Sequence, residues 1–221
     1  SAGEATLGGY ALGKNDEKIR QHIGYMPQEF SQYPDLSLVE NLDFFANIQK
    51  VPTDKKAERI DKILEFTQLK PFANRKAGKL SGGMKKKLAL GCAIIHNPQI
   101  LILDEPSTGV DPVSRRELWT MLSNVILDGV TVILSTPYMD EAERCSEVAM
   151  LFRGKILEVG SPKSLTAALP YEILEVKALP RKIMRKTVEE MPGVLAWNPV
   201  GDRLRLAVPD LERGEQISEA L

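Results

Sequence analysis

The chain has 221 residues, of which 43% are hydrophobic and 27% are charged, and its formal net charge is −1 at pH 7. This composition is typical of a globular protein, and the near-neutral charge excludes binding to nucleic acid or an anionic membrane through bulk charge alone. No apolar run approaches the ~20 residues that span a bilayer, and residues 1–15 are polar and Gly-rich, unlike a signal peptide. The isolated cysteines Cys92 and Cys145 argue against a disulfide framework or a metal site and fit a reducing compartment.

The N-terminal part of the chain predicts short strands followed by a mostly helical insert over residues 35–70. Strand-like runs cover residues 4–12 and 22–27, with glycine turns between them. A capping box opens a predicted helix over residues 37–49, and the apolar spacing predicts a second helix over residues 54–68.

The middle of the chain predicts a third helix followed by a βαβ unit. The third helix covers residues 81–97, with a serine cap at its start and Asn-Pro at its end. Ile100–Leu103 is a continuous apolar run, typical of a buried parallel strand. A helix over residues 111–128 and a second buried strand over residues 130–135 follow. Strand, helix and strand in this order indicate an α/β fold with a parallel sheet.

The character of the chain changes after Pro170. Before this residue, two runs over residues 148–152 and 155–159 predict a hairpin, and Ser161-Pro162 begins a short helix. After it, strand-like, helical and strand-like runs follow in turn, at residues 171–176, 181–190 and 203–208, and a further helix begins at Glu212.

We therefore predict two domains. Residues 1–169 form an α/β domain with a helical subdomain at about residues 35–97. Residues 170–221 form a small β-α-β appendage, which we expect to be incomplete because the chain stops inside a helical pattern.

Two short motifs carry residues suited to nucleotide-phosphate chemistry. Ser81-Gly82-Gly83 opens a helix, where main-chain N–H groups can hold a phosphate, although the same residues also make an ordinary helix cap. Asp104 and Glu105 end a buried strand, where open α/β sheets bind ligands. Asp104 is suited to hold Mg²⁺ through its water shell, and Glu105 to orient and deprotonate a water, although an acidic turn after a strand is common. A Gly-x-x-x-x-Gly-Lys-Ser/Thr loop does not occur in the 221 residues.

In combination, the motifs resemble the nucleotide-binding domain of ABC transporters, over residues 1 to about 165. Leu80–Met84 resembles the signature motif, Ile100–Glu105 the Walker B strand and Ser107–Asp111 the D-loop. Tyr25–Gln28 is similar to the Q-loop and lies directly before the helical insert. Met84 stands where glutamine is common in the signature, a difference to which we attach little weight.

The resemblance implies a P-loop NTPase-like ABC ATPase core that is N-terminally truncated, because its Walker A segment would precede Ser1. It implies ATP and Mg²⁺ as cofactors, with the metal near Asp104 and Gln28 and the chemistry at Glu105 and Gln28. The residues expected near the nucleotide are Leu80, Ser81, Gly82, Gly83 and Asp111. The expected partners are a second ABC domain, paired head to tail, and a transmembrane permease subunit or domain at the cytoplasmic face of the cell membrane, with no nucleic acid.

Three further segments are similar to the bacterial exporter class, which moves drugs, antibiotics or polysaccharides: Gly24–Gln28, Tyr33–Leu36 and Tyr138–Glu143. The appendage after Pro170 resembles the usual C-terminal extension of that class. The expected function is therefore that of an ATP-binding and ATP-hydrolysing subunit that powers efflux. Without a Walker A loop, we expect the 221 residues alone to hold no ATP measurably in their own site and to be inactive.

Two alternatives remain open. Pro137 stands where the family has its switch histidine, and it has no donor, although Thr136 and Pro137 also make a good helix start. The chain could then be a degenerate or regulatory cassette that completes a partner's ATP site, a hypothesis that Glu105 opposes. A soluble ABC protein acting on DNA or ribosomes is disfavoured, because residues 29–79 are too few for a long coiled coil and no charged linker is visible. The Lys85-Lys86-Lys87 run predicts a solvated helix face, although it could lie close to a partner's nucleotide.

Overall fold

The computed structural model describes residues 4–13, 16–177 and 187–220. The chain divides into two compact units, residues 1–139 (unit 1) and residues 140–221 (unit 2). The sequence-based division at residues 169/170 stays a prediction. In the described part of the chain, no helix is both long and apolar enough to cross a membrane.

Unit 1 begins with a small hairpin and a short helix. The predicted strand over residues 4–12 is a pair of two-residue strands, β1 (Thr6–Leu7) and β2 (Tyr10–Ala11), paired antiparallel. A helix that we did not predict, α1 (Asp16–His22), has acidic residues in its first turn and basic residues in its last, as the helix dipole favours. His22 therefore ends a helix, and the expectation that it begins a strand is wrong.

The centre of unit 1 is a three-stranded parallel sheet in the order β3–β4–β5. These strands are β3 (Ile23–Met26), β4 (Ile100–Asp104) and β5 (Thr131–Ser135). The apolar run of β4 lies in the middle, where Leu101 and Leu103 are buried. The register sets Met26 opposite Leu103 and Asp104 opposite Ser135. The predicted βαβ unit is confirmed, so the carboxyl ends of all three strands lie at one edge of the sheet.

Four longer helices complete the packing of unit 1. They are α2 (Leu38–Ile48), α3 (Thr53–Phe66), α4 (Gly82–Ile94) and α5 (Pro112–Leu127), with two 3-10 turns at Lys70–Phe72 and Ala77–Lys79. The capping box of α2 is confirmed: the Glu40 N–H donates to Ser37 Oγ (3.2 Å) and the Ser37 N–H donates to Glu40 Oε2 (2.7 Å).

Helix α4 is shared by two apolar cores. Leu88 and Cys92 pack with α2 and α3, in a core that also contains Leu38, Leu42, Ala46, Ile60, Leu64, Leu69 and Leu80. Ala89, Leu90 and Ala93 pack against the sheet and α5, with Met26, Leu101, Leu103, Leu118 and Leu122. A helix that buries most of its circumference is held at a fixed position by both sides. The close approach needs Gly24 in β3, because a Cβ there would overlap the main-chain oxygen of Ala93.

Unit 2 contains a hairpin and a second sheet. Helix α6 (Met139–Ala142) lies at the unit boundary. Strands β6 (Val148–Phe152) and β7 (Lys155–Gly160) form the predicted hairpin. Helix α7 (Pro162–Ala167), capped by Ser161, follows the hairpin. The second sheet has the antiparallel order β8–β10–β9, with β8 (Glu172–Val176), β9 (Ala196–Val200) and β10 (Arg203–Val208), and α8 (Leu211–Ala220) follows it.

The prediction of a β-α-β appendage missed strand β9. This strand contains Pro199, which has no N–H group and obscures the strand pattern in the sequence. The strand lies at the sheet edge, where proline is tolerated. Most of the predicted helix at residues 181–190 lies outside the described residues.

A fully buried asparagine fixes the loop that leads from the sheet into α2. Asn41 Nδ2 donates to three main-chain oxygens, those of Tyr33 (3.0 Å), Leu36 (3.3 Å) and Ser37 (2.9 Å). Its Oδ1 accepts from the Tyr33 N–H (2.8 Å). All four partners are main-chain groups, so these hydrogen bonds depend on the Asn41 side chain and on no other side chain.

We expect Asn41→Ala to lower the free energy of unfolding by about 2–4 kcal/mol, since it removes four hydrogen bonds, among them the acceptor of the Tyr33 N–H. Asn47→Ala on the exposed side of the same helix is the matched control and should change it by less than about 1 kcal/mol. Urea denaturation followed by circular dichroism measures both variants. Equal effects of the two substitutions would contradict the anchoring role of Asn41.

Candidate functional site

The predicted carboxylates lie at the edge of the parallel sheet, where its three strands end. Glu105 directly follows β4, and the loop after β3 places Gln28 beside it, with Gln28 Nε2 donating to Glu105 Oε2 (2.7 Å). Thr108 Oγ1 donates to the same oxygen (3.0 Å). Two residues that the sequence predicted to act together are thus in direct contact, and their carboxylate is oriented by two donors.

Asp104 is held by the neighbouring strand. Ser135 Oγ, at the end of β5, donates to Asp104 Oδ1 (2.6 Å) and accepts from the Glu105 N–H (3.1 Å). Among the described residues, no group of three or more His, Cys, Asp or Glu side chains could hold a metal ion. The Asp104 carboxylate would fit a Mg²⁺ ion that takes most of its ligands from water and phosphate. The amide of Gln28, the other predicted metal ligand, contacts Glu105 instead.

The main chain of Glu105 is in an uncommon conformation. Its φ is +43°, in the left-handed region that residues with a Cβ rarely adopt. Its N–H is fixed by the Ser135 main-chain oxygen (3.2 Å) as well as by the Ser135 hydroxyl. The strand end therefore holds the carboxylate at the edge of the sheet at a cost of about 1–2 kcal/mol in conformational strain.

The signature-like residues form the exposed first turn of α4. Ser81 is the N-cap, and its Oγ accepts from the Met84 N–H (3.3 Å). Ser81 and Gly82 are exposed, whereas Gly83 packs so closely on Ser114 that a Cβ would collide with that side chain. The side chain of Leu80 lies in the apolar core, so the predicted contact of Leu80 with a nucleotide could involve only its main chain.

Asp111 begins the neighbouring helix, α5. Its Oδ1 accepts from the N–H groups of Val113 (3.0 Å) and Ser114 (3.0 Å). Hydrogen bonds from the side chain and main chain of Ser114 hold the pKa of Asp111 below its usual value. Asp111 is thus an ionised helix cap beside the signature turn, and its contact with a nucleotide stays a prediction.

The three consecutive lysines have three different partners. Lys85 Nζ lies over the Phe30 ring (5.2 Å), Lys86 Nζ donates to the Gln28 main-chain oxygen (2.8 Å), and Lys87 is buried in an ion pair with Glu117 (2.8 Å). Burial lowers the pKa of Lys86, and the nearby carboxylates of Glu105 and Asp104 oppose this shift. The expectation of a solvated helix face is wrong, because α4 is buried on both sides.

Two cavities flank this region. One of about 160 Å³ lies between the loop after β3, the first turns of α4 and the D-loop segment, lined in part by Phe30, Gly82, Lys86 and Gly109. The larger one, of about 710 Å³, lies between α1, β3 and α2 and is lined by none of the predicted site residues. Its size therefore does not make it the nucleotide site. The smaller cavity has one predicted site residue, Gly82, in its lining.

The start of one helix near the site differs from the prediction. Helix α6 begins at Met139, two residues later than predicted, because Pro137 lies in a turn in which the Tyr138 N–H donates to Thr136 Oγ1 (3.1 Å).

Residues 8–14 match the Gly-x-x-x-x-Gly-Lys spacing but are followed by Asn15, and Gly8 and Gly9 form the turn of the β1–β2 hairpin. A phosphate loop follows a strand and opens a helix, so this segment does not supply one.

Sequence reasoning missed three residues that hold the site together: Lys86, Thr108 and Ser135. Thr108 lies in the D-loop motif and Ser135 ends a predicted strand, so the sequence alone located both residues in the fold. Their contacts depend on the strand register and on the path of the chain after β4. The sequence indicated Lys86 less clearly, by its position one helical turn after Gly82.

We expect Glu105→Gly to be more stable than Glu105→Ala by about 1 kcal/mol, since both lose the carboxylate but only glycine relieves the positive φ. At the exposed helical residue Thr120, the same pair should have the opposite order, with Gly less stable than Ala by about 0.5–1 kcal/mol. Urea denaturation of the four variants measures both differences. The same order at both positions would contradict strain at Glu105.

Residues 1–108 match the family model described as ABC transporter. The chain is 45% identical over 168 residues to the probable multidrug ABC transporter ATP-binding protein YbhF of Escherichia coli (strain K12), covering 76% of this chain and 29% of that protein. It is 35% identical over 169 residues to the linearmycin resistance ATP-binding protein LnrL of Bacillus subtilis (strain 168), covering 76% and 54%.

A solved structure shows the same fold. The chain superposes on cbiO1 from Clostridium perfringens, described as part of the ABC transporter complex cbiONQ, with a TM-score of 0.68 and 26% identity over 87% of this chain and 74% of that one. The predicted α/β ABC ATPase core is confirmed by this likeness. The chain spans 29% of YbhF and 54% of LnrL, so it corresponds to part of each relative. By its motifs, its fold and its relatives, the chain carries an ABC transporter ATP-binding domain.

Proposed function

We propose that the chain supplies ATP-binding and ATP-hydrolysing residues to a bacterial ABC exporter, which powers efflux through a transmembrane partner. The observation that carries the proposal is the hydrogen bond between Gln28 and Glu105, at the edge of the sheet where Asp104 also lies. The printed names of YbhF and LnrL, for multidrug transport and linearmycin resistance, favour the drug and antibiotic class of exporter.

In this function, Mg²⁺-ATP supplies the phosphoanhydride bond and a metal that neutralises charge on the phosphates. Glu105 is placed to orient a water and take its proton, since its carboxylate lies at the sheet edge with one oxygen fixed by Gln28 and Thr108. Asp104, held by Ser135, would help to hold the metal. Gln28 connects this site to the loop that leads into α2, whose path Asn41 fixes.

The exposed turn at Ser81–Gly83 serves a different nucleotide in this proposal. Main-chain N–H groups at the start of a helix favour phosphate, and the first two residues of this turn are exposed. We therefore propose a head-to-tail pair with a second ABC domain, at the cytoplasmic face of the cell membrane. The Walker A loop of this chain's own site is not within the 221 residues, so we propose that these residues alone hold no ATP.

The test is the ATPase rate of the full-length protein that contains these 221 residues. Glu105→Gln is expected to lower the maximal rate by about 10²–10⁴-fold, because an amide cannot accept the proton of the attacking water. Binding of ATP should persist, since the nucleotide contacts are unchanged. Glu58→Gln on the exposed side of α3 is the matched control, and a normal rate in Glu105→Gln would refute the proposed role.

A second candidate function is that of a degenerate or regulatory cassette that completes a partner's ATP site. It is favoured by Pro137, which is exposed and offers neither a side-chain donor nor an N–H group at the switch position. The Glu105 and Gln28 geometry, which is intact, favours the hydrolysing function instead.

The same assay separates the two candidates through Pro137→His. A missing preorganised donor costs about 10²–10³ in rate, so the substitution should raise the ATPase rate well above that of the unmodified protein if the site is slowed by proline. An unchanged rate would exclude a slow site caused by Pro137.

A further inference from the structure

Lys86 is joined to both parts of the Gln28–Glu105 pair through the main chain. Its Nζ donates to the Gln28 carbonyl oxygen (2.8 Å), and the Glu105 carbonyl oxygen lies at 3.5 Å, a longer and weaker contact. The side chains of Gln28 and Glu105 are in turn hydrogen-bonded to each other (2.7 Å). Gln28 is therefore held at two points, its main chain by Lys86 and its amide by Glu105.

The position of Lys86 on α4 connects this pair to the signature turn. Lys86 follows Gly82 by one helical turn, so both lie on the same face of α4. The helix is packed between two apolar cores, which keeps its first turns and Lys86 in one rigid element. The turn at Ser81–Gly83 and the Lys86 side chain are thus carried by the same element.

The neighbouring lysines show that this contact is specific. Lys85 faces the Phe30 ring and Lys87 pairs with Glu117 on α5, so neither reaches the Gln28 carbonyl. Lys86 is half-buried and lines the cavity between the loop after β3 and the D-loop segment. A cation at this position is placed to hold the loop that carries Gln28 against the end of β4.

We propose that Lys86 is a positioning residue that keeps the Gln28 amide on Glu105 and couples this pair to the signature turn of the same chain. The inference rests on the proposed function only in assigning chemistry to the Gln28–Glu105 pair. In that function the signature turn faces one nucleotide and Glu105 faces another, so Lys86 provides a direct link between two ATP sites.

The link is tested on the nucleotide-free 221-residue chain by NMR spectroscopy of isotope-labelled protein. Two signals report it: the carbonyl ¹³C shift of Gln28, which depends on its hydrogen bond, and the exchange rate of the Gln28 side-chain amide protons. In Lys86→Met we expect the carbonyl shift to change and amide exchange to rise by about tenfold or more, because the loop loses its anchor. Lys86→Arg should restore both signals toward the unmodified values, since arginine keeps a donor.

Lys62→Met is the control, since Lys62 is an exposed lysine on α3 that loses only its pair with Glu58. It should leave both signals of Gln28 unchanged. Should Lys86→Met not fold, Lys86→Gln gives the same readout, because its amide is polar but one atom shorter than the lysine chain. Unchanged Gln28 signals in the folded variant would overturn the proposal, as would equal effects in Lys62→Met. Because no nucleotide is present, this outcome is independent of the ATPase test of the proposed function.

Discussion

Parallel pairing of β4 between β3 and β5 is the constraint on which the rest of unit 1 depends. The register sets Asp104 opposite Ser135 and brings the loop that carries Gln28 to the same edge of the sheet. Parallel strands need crossover connections, which here are the helices that cover the sheet. The carboxylate edge of the site is therefore a consequence of the sheet: Asp104 and Ser135 end their strands, and Glu105 directly follows β4.

Helix α4 connects this edge with the helical part of the unit. Its buried residues divide between a core formed with α2 and α3 and a core formed against the sheet. The exposed first turn at Ser81–Gly83 is thus carried by an element with little freedom to move by itself. The same packing orients the three lysines that follow, so each lysine of the run has a different partner.

The predictions that agree with the structure are those based on interactions between residues close in the sequence. Caps, strands and helices with clear local patterns are confirmed, as at Ser37, Ser81, Asp111 and the apolar run of β4. The short helix α1, the late start of α6 and the proline-containing strand β9 were missed. Strand β9 depends on its pairing with β10, whereas the start of α6 is delayed by the turn at Thr136. The site residues Gln28, Asp104 and Glu105 came from motifs, whereas Lys86, Thr108 and Ser135 needed the tertiary contacts.

The sequence by itself determined the family, the main elements and the identity of the carboxylates, since these depend on residue types at short spacing. Only the tertiary structure decided which groups meet: Gln28 and Glu105 are 77 positions apart, and Lys86 and Gln28 are 58 apart. Such contacts depend on strand register and on the burial of α4, which no local pattern encodes. The positive φ of Glu105 also depends on the tertiary structure, because the Glu105 N–H donates to Ser135 of β5.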